Sequence, residues 1–154
     1  MVVSGVSLKI WDLFERFKAH CDEKGWTVCG TEDLIKVGTD YHYLLWSRHT
    51  RPLTFRRTVT GDRKIPIPEG NTSKLVNVSY ILWVSLDPIN QEALTIFAEN
   101  PALFQKVAVY DLSPIKNNND VCFKINKTDS EVFRAFEQFL SEKYCVTFKH
   151  FDKI

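Results

Sequence analysis

The stretch that most restricts the fold is LVNVSYILWVSL, residues 75–86. On an extended chain Val76, Val78, Tyr80, Leu82, Val84 and Leu86 alternate along one face, and Leu75, Ile81 and Trp83 fall on the other. A strand that is apolar on both faces needs cover on both, so this one is expected at the centre of a sheet. The rest of the chain then has to supply neighbouring strands and the layers that cover them.

Helical spacing comes first, over residues 7–24, where Ile10, Phe14, Phe17 and Cys21 form an apolar stripe, Ser7 can cap the start and Gly25 stops the run. WTVC (26–29) reads as a short strand. EDLIKVGTDYHYLLWSR (32–48) reads as a hairpin with Gly38 and Thr39 in the turn and Val37 opposite Asp40. A further strand is expected at 53–60, with Thr54, Arg56, Thr58 and Thr60 on one face and Leu53, Phe55 and Val59 on the other. The prolines and glycines of GDRKIPIPEGNTS (61–73) predict a long loop.

After the central strand, Asp87 is placed to cap a helix with Pro88 at its first position, running to near Asn100. KVAVYDL (106–112) and VCFKI (121–125) are strand-like and flank an Asn-rich turn. TDSE (128–131) has the form of a capping box and opens a helix to about residue 143, with Val132, Phe136, Phe139 and Leu140 on its core face. CVTFKHF (145–151) closes the chain as a strand. The order α-β-β-β-β-β-α-β-β-α-β predicts a single domain of the α+β (or mixed α/β) class, with helices packed on a largely antiparallel or mixed β-sheet.

Composition narrows the function classes. A chain of 154 residues suits one domain with a full core, and 44% hydrophobic with 13% aromatic residues argues against disorder. The net charge of +1 gives no global attraction to nucleic acid or membrane. No apolar run reaches the length of a membrane span, and MVVSGVSLKI lacks the basic start and long apolar stretch of a secretion signal. Cys21, Cys29, Cys122 and Cys145 form no C-x-x-C pair, so reduced and mostly buried thiols in an intracellular, cytoplasmic protein are expected. The triplets NTS, NVS and NKT at 71, 77 and 126 are read as chance.

The run FERFKAHCDEKGWTVCGTEDLIKVGTDYHYLLWSR (14–48) resembles the opening of the PD-(D/E)xK nuclease superfamily, about a quarter of the chain. In that family a helix precedes a hairpin, an acid starts the first hairpin strand and an acid-x-lysine triplet ends the second. The resemblance implies Asp33 as the first acid and Glu15 on the helix as an accessory acid, with Trp46 and Arg48 at the positions of the second acid and the lysine. Glu32 replaces the usual proline. With Val37 opposite Asp40, Asp33 lies opposite Leu44 and shares a face with Trp46 and Arg48. Trp46 offers no oxygen to a metal, and Arg48 can hold phosphate but cannot serve as a base near neutral pH. Three readings stay open: Leu44 and Trp46 as core with Arg48 a solvated strand end, an inactivated nuclease-like fold, or an active nuclease.

Charge is uneven along the chain. Residues 48–64 carry Arg48, Arg51, Arg56, Arg57, Arg63 and Lys64 against Asp62 alone, a net +5. Arginine binds phosphate by paired hydrogen bonds, and the same segment suits an acidic protein partner or a solvated sheet edge. The DRK triplet at 62–64 lacks a strand to hold it and reads as turn chemistry.

The four histidines make no catalytic motif: His20 and Cys21 are adjacent on a helix and do not face each other, and His42 and His49 differ in strand parity. Phosphate loops and the H-E-x-x-H and C-x-x-C metal patterns are missing from the sequence. The reading is a non-catalytic binding or assembly module without cofactor, membrane contact or evident small-molecule site. Its basic segment meets a protein partner, a larger assembly or nucleic acid. The competing reading is an enzyme on a nuclease-like scaffold with Asp33 and Glu15 as its acids.

Overall fold

The computed structural model describes residues 10–29, 33–47, 64–89, 91–99, 102, 105–125 and 127–150. Among them lie helices α1 (Ile10–Glu23), α2 (Gln91–Glu99) and α3 (Glu131–Tyr144). The strands are β1 (Thr27–Val28), β2 (Leu34–Val37), β3 (Asp40–Ser47), β4 (Lys64–Glu69), β5 (Thr72–Ser85), β6 (Val107–Asp111), β7 (Val121–Lys124) and β8 (Thr147–His150), and a 3-10 helix spans Ser113–Asn117. The strands form one mixed sheet in the order β1-β2-β3-β5-β6-β7-β8, with β4 paired to β5 alone. The domain is α+β, with helices packed on both faces of that sheet.

β5 is the centre, as its sequence requires. It runs parallel to β3 on one side and to β6 on the other. Residues 81–86 are all buried, and Leu82, Trp83 and Val84 are fully enclosed. Leu82, Val84, Ala108 and Tyr110 face a core shared with Leu13, Phe14 and Phe17 of α1 and Val132, Phe133 and Phe136 of α3. Ile81, Trp83, Val107 and Val109 face the opposite core, closed by Leu94 of α2.

Crossover handedness explains this division. The parallel pair β5–β6 is joined through α2, and the parallel pair β7–β8 through α3. β6 and β7 are antiparallel, so the second pair runs opposite to the first while the sheet grows in the same lateral direction. Two crossovers of one hand must then place their helices on opposite faces, as α2 and α3 are.

The strict alternation expected for residues 76–86 breaks once. Tyr41 pairs with Val78 but His42 pairs with Tyr80, so Ser79 is an extra residue, a β-bulge. Val76 and Val78 therefore join Ile81 and Trp83 on the α2 side, and Tyr80, Leu82 and Val84 line the α1–α3 side. Leu75 is left 63% exposed.

The loop expected over 61–73 is also overturned. Lys64–Glu69 is a strand, antiparallel to the first half of β5, with a tight turn at Gly70 and Asn71. Gly70 has φ 62°, a conformation that glycine adopts without strain. Ile65 and Ile67 alternate with Pro66 and Pro68. A proline has no N–H to give, so its nitrogen must face away from the partner strand. Two such prolines, two residues apart, strip successive donors from the outer edge of β4 and make it a poor template for another strand. Proline here marks an edge strand rather than a loop.

Helix ends follow local chemistry with two corrections. Gly25 at φ 86° ends α1, and the amide of Trp26 donates to the Cys21 carbonyl, the Schellman arrangement. α3 is capped by Ser130, whose side chain accepts from the Phe133 amide, rather than by a box from Thr128 to Glu131, because Glu131 is already its first residue. α2 begins at Gln91, not behind Asp87, whose carboxylate instead holds Lys116 at 2.8 Å across the sheet end. The strand expected at 53–60 lies outside the described residues.

The bulge and the two-sided cover give opposite expectations for neighbouring leucines. Leu82→Ala should cost about 3 kcal/mol in urea unfolding, and Leu75→Ala should stay within about 0.5 kcal/mol. Equal losses at the two positions would contradict the placement of the bulge.

Candidate functional site

The β2–β3 hairpin has the expected register: Val37 pairs with Asp40, and the Leu44 amide donates to the Asp33 carbonyl at 2.7 Å. Leu34 faces the α2 side, so Asp33, one residue earlier, faces α1. The helix spacing of three puts Glu15 and Lys18 side by side on α1. The three groups meet. Lys18 Nζ lies 2.8 Å from Glu15 Oε1 and 2.9 Å from Asp33 Oδ1.

The two acids singled out from the sequence are therefore brought together, but around an ammonium. The Lys18 side chain is only 11% exposed. Burial opposes its charge, and hydrogen bonds to Glu15 and Asp33 outweigh that opposition and hold its pKa above the ordinary value. It remains a cation at neutral pH and is no base. A divalent ion bridging the two carboxylates would compete with it, since one oxygen of each already faces the ammonium. Among the described residues no three His, Cys, Asp or Glu side chains gather as a metal site. Lys18 was legible in the sequence as a helix neighbour of Glu15, but its reach to Asp33 depends on how α1 crosses the hairpin.

The remaining sequence candidates fare differently. Leu44 is core. Trp46 is in backbone register with Val84. Arg48, Arg51, Arg56, Arg57 and Arg63 lie outside the described residues, as does His49. Lys64 opens β4, exposed and paired with Asn77, so the DRK triplet ends in a strand rather than wholly in a turn. The segment 48–63 thus joins two fixed points, Ser47 beside Ser85 and Lys64 beside Asn77. Those points are separated by about 26 Å along β5.

A second buried charge was not anticipated. Lys124 on β7 is 6% exposed, and its Nζ donates to Glu137 Oε2 of α3 at 3.1 Å. Tyr110 of β6 donates its hydroxyl to the same oxygen at 2.6 Å, and the Lys124 ammonium lies 5.6 Å from the Tyr110 ring centre. Burial, then the Glu137 charge, pushes the Tyr110 pKa well up, so the phenol stays a donor rather than an activated nucleophile. The cluster pins α3 to the sheet.

The thiols that are wholly or partly buried show no activation. Cys21 and Cys122 are buried, and burial pushes each up to about 12. Burial also raises Cys29, while Cys145 is exposed as the left-handed cap of α3. Between the C-terminal halves of α1 and α3 lies an open groove of about 450 Å³, lined by Arg16, His20, Glu23, Phe139, Lys143 and Tyr144 among others. Its charges are mixed in sign. No described helix is long and apolar enough to cross a membrane. No protein-family model, curated protein or solved structure shows significant similarity to the chain.

Two charge clamps of different burial should respond differently to truncation. Glu137→Ala strands the Lys124 ammonium in the core and should cost about 3 kcal/mol. A double-mutant cycle between Lys18→Met and Asp33→Asn should give a coupling of only about 0.5–1 kcal/mol, because Asp33 is 43% exposed. Chemical denaturation of the four variants against the parent checks both values.

Proposed function

We propose that the protein is a non-catalytic binding or assembly module whose contact surface is the basic segment Arg48–Lys64. The observation that carries the non-catalytic half is the Lys18 ammonium seated between Glu15 and Asp33. It pairs with both of the acids that a nuclease reading needs and supplies neither a base nor a metal ligand. The basic segment supports the binding half. It concentrates a net +5 in a protein of net +1, and the described residues at its two ends, Ser47 and Lys64, pair with β5 about 26 Å apart. An acidic macromolecule, protein or nucleic acid, is the partner class that such a segment attracts. Free thiols, two of them deeply buried, are compatible with the reducing interior of a cell, where we place the protein.

The charge-reversed variant Arg48→Glu, Arg51→Glu, Arg56→Glu, Arg57→Glu tests the surface. Single- and double-stranded DNA and RNA are titrated at low salt, and an acidic protein such as a polyglutamate fusion is titrated in parallel. Salt-sensitive binding by the parent, lost in the variant, is the expected result, and the probe that binds identifies the partner class. Failure of every acidic probe to bind the parent sinks the proposal.

The convergence of Glu15 and Asp33 on one point also supports a second reading, an enzyme on a nuclease-like scaffold. It predicts cleavage of plasmid or RNA with magnesium or manganese and loss of that cleavage in Asp33→Ala. On the leading proposal there is no cleavage to lose.

A further inference from the structure

We propose that the first turn of α3 is an acid-operated latch on the sheet, with His42 as its trigger. His42 on β3 is 3% exposed, and neither of its ring nitrogens has a hydrogen-bond partner. Its ring lies flat against Tyr80 of β5, 4.6 Å between centres and 8° between planes. Phe133 of α3 closes the site edge-on, 5.9 Å from both rings.

Burial, rather than the charged groups around this stack, disfavours a positive charge on the ring. From β3 itself Asp40 is the one acid acting on the ring. The Lys106 ammonium lies 5.7 Å from the Tyr80 ring centre. Backbone groups of Ile35 on β2 and of Asp40 also lie near enough to favour the charged ring, although neither completes a well-formed hydrogen bond to it. On α3, Glu131 is exposed, and Arg134 is held by Asp129 at 2.6 Å. Burial nevertheless lowers the His42 pKa from 6.5 to about 4, outweighing the Asp40 charge and the backbone groups of Ile35 and Asp40.

Hydrating a charged His42 requires Phe133 to move. Phe133 is also the residue whose amide donates to the Ser130 cap, at 3.1 Å, and the next amide, Arg134, donates to the Ser130 carbonyl at 3.0 Å. Lifting the ring thus opens the first turn of α3 and breaks its cap. The rest of α3 stays tied by Glu137 to Lys124 and Tyr110, so the motion is confined to one end. The sign follows from linkage: the latched state prefers neutral imidazole, so latching is at full strength above pH 6.5 and weakens as pH falls toward 4.

Amide hydrogen exchange on the full chain, corrected for intrinsic exchange rates, tests this. Protection of the Phe133 and Arg134 amides should fall roughly 20-fold between pH 7 and pH 5, the factor set by an opened-state pKa of 6.5. Protection of the Ile81 amide, which donates to Lys106 within the sheet, should not change. In His42→Phe the α3 amides should keep their protection at both pH values. The proposal is overturned by an unchanged Phe133 amide, by an equal fall in His42→Phe, or by a parallel fall at Ile81. Should His42→Phe not fold, the imidazole resonances of the parent decide. A titration that tracks the loss of Phe133 protection supports the latch, and one near 6.5 with Phe133 still protected refutes it.

Discussion

The structure depends on enclosing β5 from both sides. A strand carrying Leu82, Trp83 and Val84 at full burial cannot leave either face to water, because each such side chain contributes on the order of 2 kcal/mol only when desolvated. A parallel neighbour demands a long connection, and between β5 and β6 that connection supplies cover. α2 closes one face on its way from β5 to β6. α1 and α3 close the other, and the reversal of strand direction at β7 is what sends α3 there. One buried strand thereby settles the sheet order and the number of layers.

The α1–α3 face carries the unusual polar chemistry. Lys18 and Lys124 are ammonium groups with little solvent access, and each is met by carboxylates from another element. Buried charge persists only where it is paired, and here each pair also fixes the position of one helix on the sheet. His42 follows the other rule. With no partner for either nitrogen, it stays neutral and is treated by the fold as an aromatic ring between Tyr80 and Phe133. The face therefore combines two charge clamps with one titratable ring that has no clamp.

The comparison between sequence and structure is most informative where they part. The hairpin at 34–47 was legible down to its register, because Gly38 and Thr39 leave only one pairing for the flanking apolar runs. The α3 core face was legible from the spacing of Val132, Phe136, Phe139 and Leu140. The strand at Lys64–Glu69 was hidden because its prolines read as breakers, and only the knowledge that it lies on an edge turns them into edge protection. The bulge at Ser79 left no clear local trace, since the residues that follow it, Tyr80–Val84, are apolar in both parities and suit either register. Ser130 displaced Thr128 as cap because two candidate hydroxyls stand two residues apart and packing chooses between them.

For the candidate site, the sequence pointed to Glu15 and Asp33, and they do converge. What it did not reveal is the charge that joins them. Glu15 and Lys18 are neighbours by helix geometry, whereas Lys18 and Asp33 are fifteen positions apart and meet only through the packing of α1 on the hairpin. The same holds for Lys124 with Glu137 and for His42 with Phe133. By itself the sequence determined most of the elements, the central strand, the α+β class and the uneven charge, because these rest on short-range periodicity and composition. The tertiary structure alone decided which polar groups meet, since side-chain proximity across elements depends on register, bulge and crossover, none of which a local pattern encodes.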